Sequence, residues 1–337
     1  MNNSLHEIIN QFSGAMASAG IVTNDCIIAD GQLHRIHVEG QRHGTLNGAY
    51  VLHGDGKAAG WFQNFVDGTT GTWRIGGGRW EIDQTTRRQI EESKKARQVE
   101  REAYNAKKAG EACRIWSAAT PCNEHPYLAR KGIQSHGLRS GSWRKWIKIE
   151  SGFSPIDIEG VLLVPVISPD NNLVNVQAIF PEANLEIGRD KDYLGGRKKG
   201  CFFWIGEPTD TILIAEGYAT AASLHEQTGH QVIIAFDCGN LMDVAIIVRK
   251  AHPGATIIIA GDNDRKTPGN PGLTKAREAA LAVGGKLLIP KFEDGEIGSD
   301  WNDWITSRRF SGSLKNVNLS MSPLGSFTGM EAQHGGK

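Results

Sequence analysis

Cysteine is scarce. The 337 residues hold five, Cys26, Cys113, Cys122, Cys201 and Cys238, and no two form a Cys-x-x-Cys pair. That density excludes a disulfide framework and leaves no visible cysteine-rich zinc site, so the expectation is a reduced, cytoplasmic protein. Long apolar runs are missing too: Val161 to Ile167, about seven residues, falls far short of the roughly 20 a membrane helix needs. No membrane partner is expected. The opening MNNSLHEIIN sets no Lys or Arg before an apolar stretch, so a secretory signal is not expected. Net charge is the last absence, with 37 Lys and Arg offsetting 37 Asp and Glu. Taken whole, zero charge argues against nucleic acid as a partner. Taken by segment it does not: residues 84–148 carry +9, and 1–83, 149–205 and 206–337 carry −3 each.

The texture of the chain divides it into five parts. Residues 1–83 alternate short runs such as LHRIHVEG and GAYVLHGDG with Gly and Asp, the mark of a small strand-rich module. Trp61, Trp73 and Trp80 are expected to fill its core, a binding face being the alternative. Residues 84–116 lack proline and are rich in helix formers and cations, a basic helical connector. Residues 117–206 turn to strands, with Pro169–Asn172 reading as the turn of a hairpin. Residues 207–306 alternate strand and helix, which predicts a parallel sheet covered on both faces, an α/β fold. Residues 307–337 read as a flexible tail.

In such a sheet, ligands bind at the carboxyl ends of the strands. The run TILIAEG ends on Glu216, and ATIIIAGDND ends on Asp262 and Asp264, two residues apart and so facing one side of an extended chain. Each acid alone could be a turn former or a helix cap. Together, three carboxylates at one sheet edge suit a hard divalent cation, Mg²⁺ with Mn²⁺ as a substitute, which prefers oxygen ligands. Separately, Trp143, Arg144, Lys145, Trp146 and Lys148 interleave aromatics with cations, as a single-strand-binding track would. A partly buried amphipathic strand or helix would look the same.

IAEGYATA followed by AGDND resembles the Toprim domain of bacterial-type primases, topoisomerases and some nucleases, and GSDWNDW, with Asp300 and Asp303, resembles the acidic stretch that closes it in primases. Upstream, HPYLARKGI, VQAIF, YLGGRKKGCFFWIG and the opening ADGQLHRIHVEG are similar to the corresponding parts of plasmid and satellite-phage primases. The resemblance implies a Toprim domain over 207–306, a mixed α+β primase subdomain over 117–206 that meets nucleotide and template, and the N-terminal module before them. It implies catalytic or metal-binding roles for Glu216, Asp262 and Asp264, and a supporting metal role for Asp300 and Asp303. Nucleotide or template contacts fall to Lys191, Arg197, Lys198 and Lys199.

The implied activity is synthesis of short RNA primers from NTPs on a single-stranded DNA template, in plasmid, phage or mobile-element replication. Two departures from the replicative bacterial primase stand out. No Cys/His zinc ribbon is seen at the start, and no G-x-x-x-x-G-K-[ST] loop is present, so any helicase is expected to be a separate partner. The alternatives are a Toprim nuclease acting on phosphodiesters and a non-catalytic single-strand-binding accessory.

Overall fold

A computed structural model describes residues 4–41, 44–55, 58–76, 84–149, 152–184 and 189–310. The chain divides into two compact units, residues 1–92 and 93–337.

The first unit opens on a helix that the strand-rich reading of residues 1–83 did not anticipate, α1 (Leu5–Ser18). Ile8, Phe12 and Met16, four residues apart, form one buried stripe, and the Ser4 hydroxyl accepts a hydrogen bond from the Glu7 N–H at 3.3 Å. Polar residues and Gly14 between these three apolar positions hide the period. Four antiparallel strands follow, β1 (Asp30–Ile36), β2 (Gly48–His53), β3 (Ala59–Asn64) and β4 (Thr70–Arg74), lying side by side in chain order. Ile36, Tyr50, Leu52 and Phe62 face α1, and the Trp73 ring lies 5.7 Å from that of Phe12. Trp73 thus packs on the core as expected. Trp61 lies on the other face of the sheet and is partly exposed, and Trp80 lies outside the described residues.

The long helix is present as α2 (Gln84–Ala118). It is exposed from residue 95 to 104, while Ala112 is buried and Ile115 and Trp116 pack at its end. They lie on an antiparallel sheet ordered β5 (Thr120–Pro121), β6 (Arg139–Ile149), β7 (Gly152–Ile167), β8 (Leu173–Asn184), β9 (Arg189–Tyr193). Pro169–Asn172 makes the β7–β8 turn, with Asn171 at φ 62°, a left-handed conformation asparagine tolerates. A short helix, α3 (Pro126–Lys131), is capped by His125, whose ring nitrogen accepts from the Tyr127 N–H at 3.1 Å.

The last sheet comprises β10 (Phe203–Ile205), β11 (Thr211–Ala215), β12 (Gln231–Ile234), β13 (Thr256–Ala260) and β14 (Lys286–Leu288), in the order β10-β12-β11-β13-β14. All but β10 run parallel. Side-chain alternation gives it two buried faces. Ile212 and Ile214 meet α5 (Leu241–Ala251) and α6 (Pro271–Ala282). Leu213 and Ala215 meet α4 (Tyr218–Thr228) and α7 (Trp301–Phe310), with Leu162 and Val164 of β7 in the same core. An α/β domain with helices on both faces of a parallel sheet is therefore what the chain builds. Residues 307–310 are the last part of α7, and the remainder of the polar tail lies outside the described residues. Among the described residues no helix is long and apolar enough to cross a membrane.

Candidate active site

β11 sits between β12 and β13, so the chain leaves its carboxyl end toward one side while the next two strands lie on opposite sides of it. This is the switch point at which a parallel sheet opens a crevice. Glu216 follows β11 there, and Asp262 and Asp264 follow β13. The Asp262 N–H donates to Glu216 Oε1 at 3.4 Å, and the Gly272 N–H, in the first turn of α6, donates to Asp264 Oδ2 at 3.2 Å. Gly272 is the wedge between these groups. A β carbon added there would lie 2.8 Å from the Asp262 carbonyl oxygen, 3.0 Å from Asp264 Oδ2 and 3.1 Å from Glu216 Oε1. Glu216 and Asp264 therefore flank one point, on which the α6 N-terminus also places its positive end.

The electrostatics are those of crowded, desolvated acids. Burial pushes the Glu216 carboxyl up to about 7, with the charges of Asp264, Asp237 and Asp300 adding to it against the Asp262 N–H. Burial pushes Asp262 up to about 9, followed by the charge of Glu216 and then those of Asp300 and Asp264. Asp262 Oδ1 is buried and has no hydrogen-bond partner. Asp300 is raised by burial and by Asp303. Lys191, on β9, is the cation that opposes the rise at both Asp262 and Asp300.

An orphaned carboxylate oxygen among hard oxygen donors is what a Mg²⁺-type ion would satisfy. Among the described residues no three His, Cys, Asp or Glu side chains are gathered closely enough to hold an ion alone. The fit is thus to a cation held by one or two carboxylates, with water and substrate phosphate completing its shell.

The other expected residues fall into distinct places. Asp300 starts α7, its Oδ1 accepting from the Asp303 N–H at 2.8 Å, and it belongs to the acid cluster. Asp303 turns instead to Lys131, 3.3 Å away, and to the Ser299 N–H. Lys198 pairs with Asp237 and lies over the Tyr193 ring, and Lys199 lies 3.6 Å from Asp243. Arg197 is exposed.

The track from Trp143 to Trp146 does not hold together. On a strand, neighbours point to opposite faces. Trp143 is buried in the core, where its Nε1 donates to Asp192 at 3.2 Å, and Lys145 pairs with the same carboxylate at 2.6 Å. Trp143 therefore has no face to offer a base. Arg144 points outward into a two-bond pair with Asp157, and Trp146 is exposed.

Two residues of the site were not read from the sequence. Gly272 carried no signal, because its neighbours in space are 8 to 56 residues away along the chain. Asp237 follows β12 and acts on Glu216, yet FDCGN lacks the acid-glycine pattern that marks the other strand ends. Phe236 before it holds φ 71°, an unusual conformation for a bulky residue, fixed by the Tyr193 hydroxyl donating to its carbonyl at 3.3 Å. Gly272→Ala is expected to leave the chain folded, as judged by circular dichroism, and to cut catalysis by about a hundredfold, since a displacement of about an ångström suffices for that.

Residues 211–309 match the Toprim domain family. Two DNA primase TraC proteins of Escherichia coli are each 34% identical to this chain over an alignment of 304 residues that covers 85% of it. The chain spans 27% of the length of one and 20% of the other. A solved DnaG primase catalytic domain bound to single-stranded DNA shows a distant likeness, with 12% identity and a TM-score of 0.43, over 63% of this chain and 77% of its own. Residues 211–309 are thus a Toprim domain, set in a chain that over most of its length is similar to DNA primase TraC.

Proposed function

We propose that this chain is the catalytic core of a DNA primase, joining NTPs into short RNA primers on single-stranded DNA with Mg²⁺ or Mn²⁺ as cofactor. One observation carries the reading: Glu216, Asp262 and Asp264 follow adjacent parallel strands at the switch point of a Toprim sheet, with Gly272 wedged between Glu216 and Asp264. The similarity to TraC supports primase over nuclease among the reactions such a carboxylate set can run.

In each turn the 3′-hydroxyl oxygen of one nucleotide bonds to the α-phosphorus of the next, the α–β phosphoanhydride bond breaks, and pyrophosphate leaves. Asp262 and Asp264 would hold the metal, with Glu216 as a further ligand or as acceptor of the hydroxyl proton. Burial and the neighbouring acids make Glu216 a stronger proton acceptor than an ordinary carboxylate in the metal-free site. When bound, the divalent ion neutralises charge building on the phosphoryl oxygens and acidifies the attacking hydroxyl. Lys191, beside the acids, and the Arg197–Lys199 turn supply positive charge for triphosphate or template.

Incubating the chain with circular single-stranded DNA, labelled NTPs and Mg²⁺ should give short RNA products. Nicked or shortened template without RNA product would favour the nuclease reading instead. Replacing Arg197 and Lys199 together by Ala should weaken single-strand binding and flatten its salt slope by about 1.4, the share of two phosphate contacts. An unchanged slope removes this turn from the interface.

A further inference from the structure

The first unit has one sheet face packed on α1 and another against which no other described element of that unit packs. Across that second face Leu33 of β1, Val51 of β2, Trp61 of β3 and Thr72 of β4 are direct cross-strand partners, one row spanning all four strands. Leu33 and Thr72, at the two edges, are exposed, and Trp61, on a central strand, is partly exposed. The rows beside it carry cations: Arg35, whose guanidinium lies 4.4 Å from the centre of the exposed Phe65 ring, and the exposed Arg74. One carboxylate ends the Arg74 row: Asp30 opens β1 opposite His53, where a register shift breaks the strand alternation, and its Oδ1 is held by His34 and the Gln32 N–H.

Of the unit's described acids, Glu39 accepts from the Asn24 amide and Asp55 is exposed just after β2. Glu7 is on α1, and Asp25 accepts from the His37 N–H at 2.7 Å. Asp30 holds His34, which stacks on Tyr50 on the α1 side, and Asp67 holds Asn64 and the Thr69 N–H within its own turn. The segment's net charge of −3 is thus set largely by residues away from the row of Leu33, Val51, Trp61 and Thr72, beside which Arg35 and Arg74 stand.

We propose that this face is a docking surface for single-stranded DNA, with Trp61 as its stacking residue and Arg35 and Arg74 as its phosphate contacts. An aromatic on an open antiparallel sheet, flanked by cations, accepts any base by its π-face while the cations track the backbone. The unit has no need of metal for this. The inference rests on the primase reading only in identifying the strand as the template.

The test uses the full chain and a fluorescein-labelled oligo(dT), followed by anisotropy across a salt series. Trp61→Ala should weaken binding about tenfold, the scale of one lost base–aromatic stack, with Trp61→Phe retaining most of the affinity. Arg74→Glu, at an exposed position on an edge strand, should weaken binding and lower the salt slope by about one. If Trp61→Ala melts without cooperativity, Arg74→Glu and Thr72→Glu, both at exposed positions, carry the test. Parental affinity in the folded variants overturns the proposal, as does a change in self-association with oligo(dT) affinity unmoved. Priming by the parent chain is measured alongside. Failed priming with weakened variants removes the primase reading and leaves the surface; intact priming with unmoved affinity does the reverse.

Discussion

Glu216→Gln and Asp264→Ala should each reduce primer synthesis by about a thousandfold, the scale of removing a central electrostatic group from an active site. Their melting temperatures should move in opposite directions. Glutamine keeps an oxygen for the Asp262 N–H, now 3.4 Å from Glu216 Oε1, and removes one of the charges that repel Asp262. Relief of that repulsion on the order of 1 kcal/mol would raise the midpoint by about 3 °C for a unit of this size. Alanine at 264 also relieves repulsion on Glu216 and Asp262, but it withdraws the acceptor of the Gly272 N–H and the negative charge at the α6 N-terminus, two losses that outweigh the relief and should lower the midpoint by a similar amount. A variant that melts higher and makes no primer has lost chemistry and not structure. Near-parental synthesis by Glu216→Gln would remove Glu216 from the site.

This opposition is expected wherever acids are forced together for binding. Desolvation and mutual repulsion at Glu216, Asp262 and Asp300 destabilise the metal-free fold, and the same arrangement gives the site its affinity for a cation. Lys191 offsets part of the repulsion from a different sheet, so the position of β9 is part of the site's electrostatics.

Much of this was legible in the sequence because strand and acid are adjacent in it. TILIAEG and ATIIIAGDND each announce a buried strand and the carboxylate at its end within ten residues. What was not legible depends on partners distant along the chain. Gly272 matters because β11 and β13 bring Glu216 and Asp264 to its Cα, and Lys131 because α7 brings Asp303 to it across 172 residues. Trp143 and Trp146 look alike in a list of aromatics. Three residues apart on a strand, they fall on opposite faces, one in the core and one in solvent. α1 escaped because Asn10, Ser13 and Gly14, weak helix formers, interrupt the stripe of Ile8, Phe12 and Met16 that a sheet lying beneath it makes plain.

The metal-free chain should lose stability as pH rises, and Mg²⁺ should restore it. The folded pKa values of Glu216 and Asp262, about 7 and about 9, stand above their ordinary 4.5 and 3.8. Between about pH 4 and about pH 9 the folded state therefore binds more protons than the unfolded one, and the unfolding free energy falls with pH. Glu226 does not obscure this window. Its burial is outweighed by hydrogen bonds from His136 and the Gln134 N–H, so it sits below 4.5 and its stabilisation is lost only on the acid side. A loss of about 2 kcal/mol across the window would lower the midpoint in EDTA by roughly 5 °C. Added Mg²⁺ should raise the midpoint strongly at the alkaline end and little at the acid end, because protonated carboxylates are not ligands and metal binding must expel their protons. Glu216→Gln should flatten the slope in EDTA. A midpoint independent of pH in EDTA, or a Mg²⁺ shift of equal size at both ends, would mean that these carboxylates neither share their protons in the fold nor give them up to a cation.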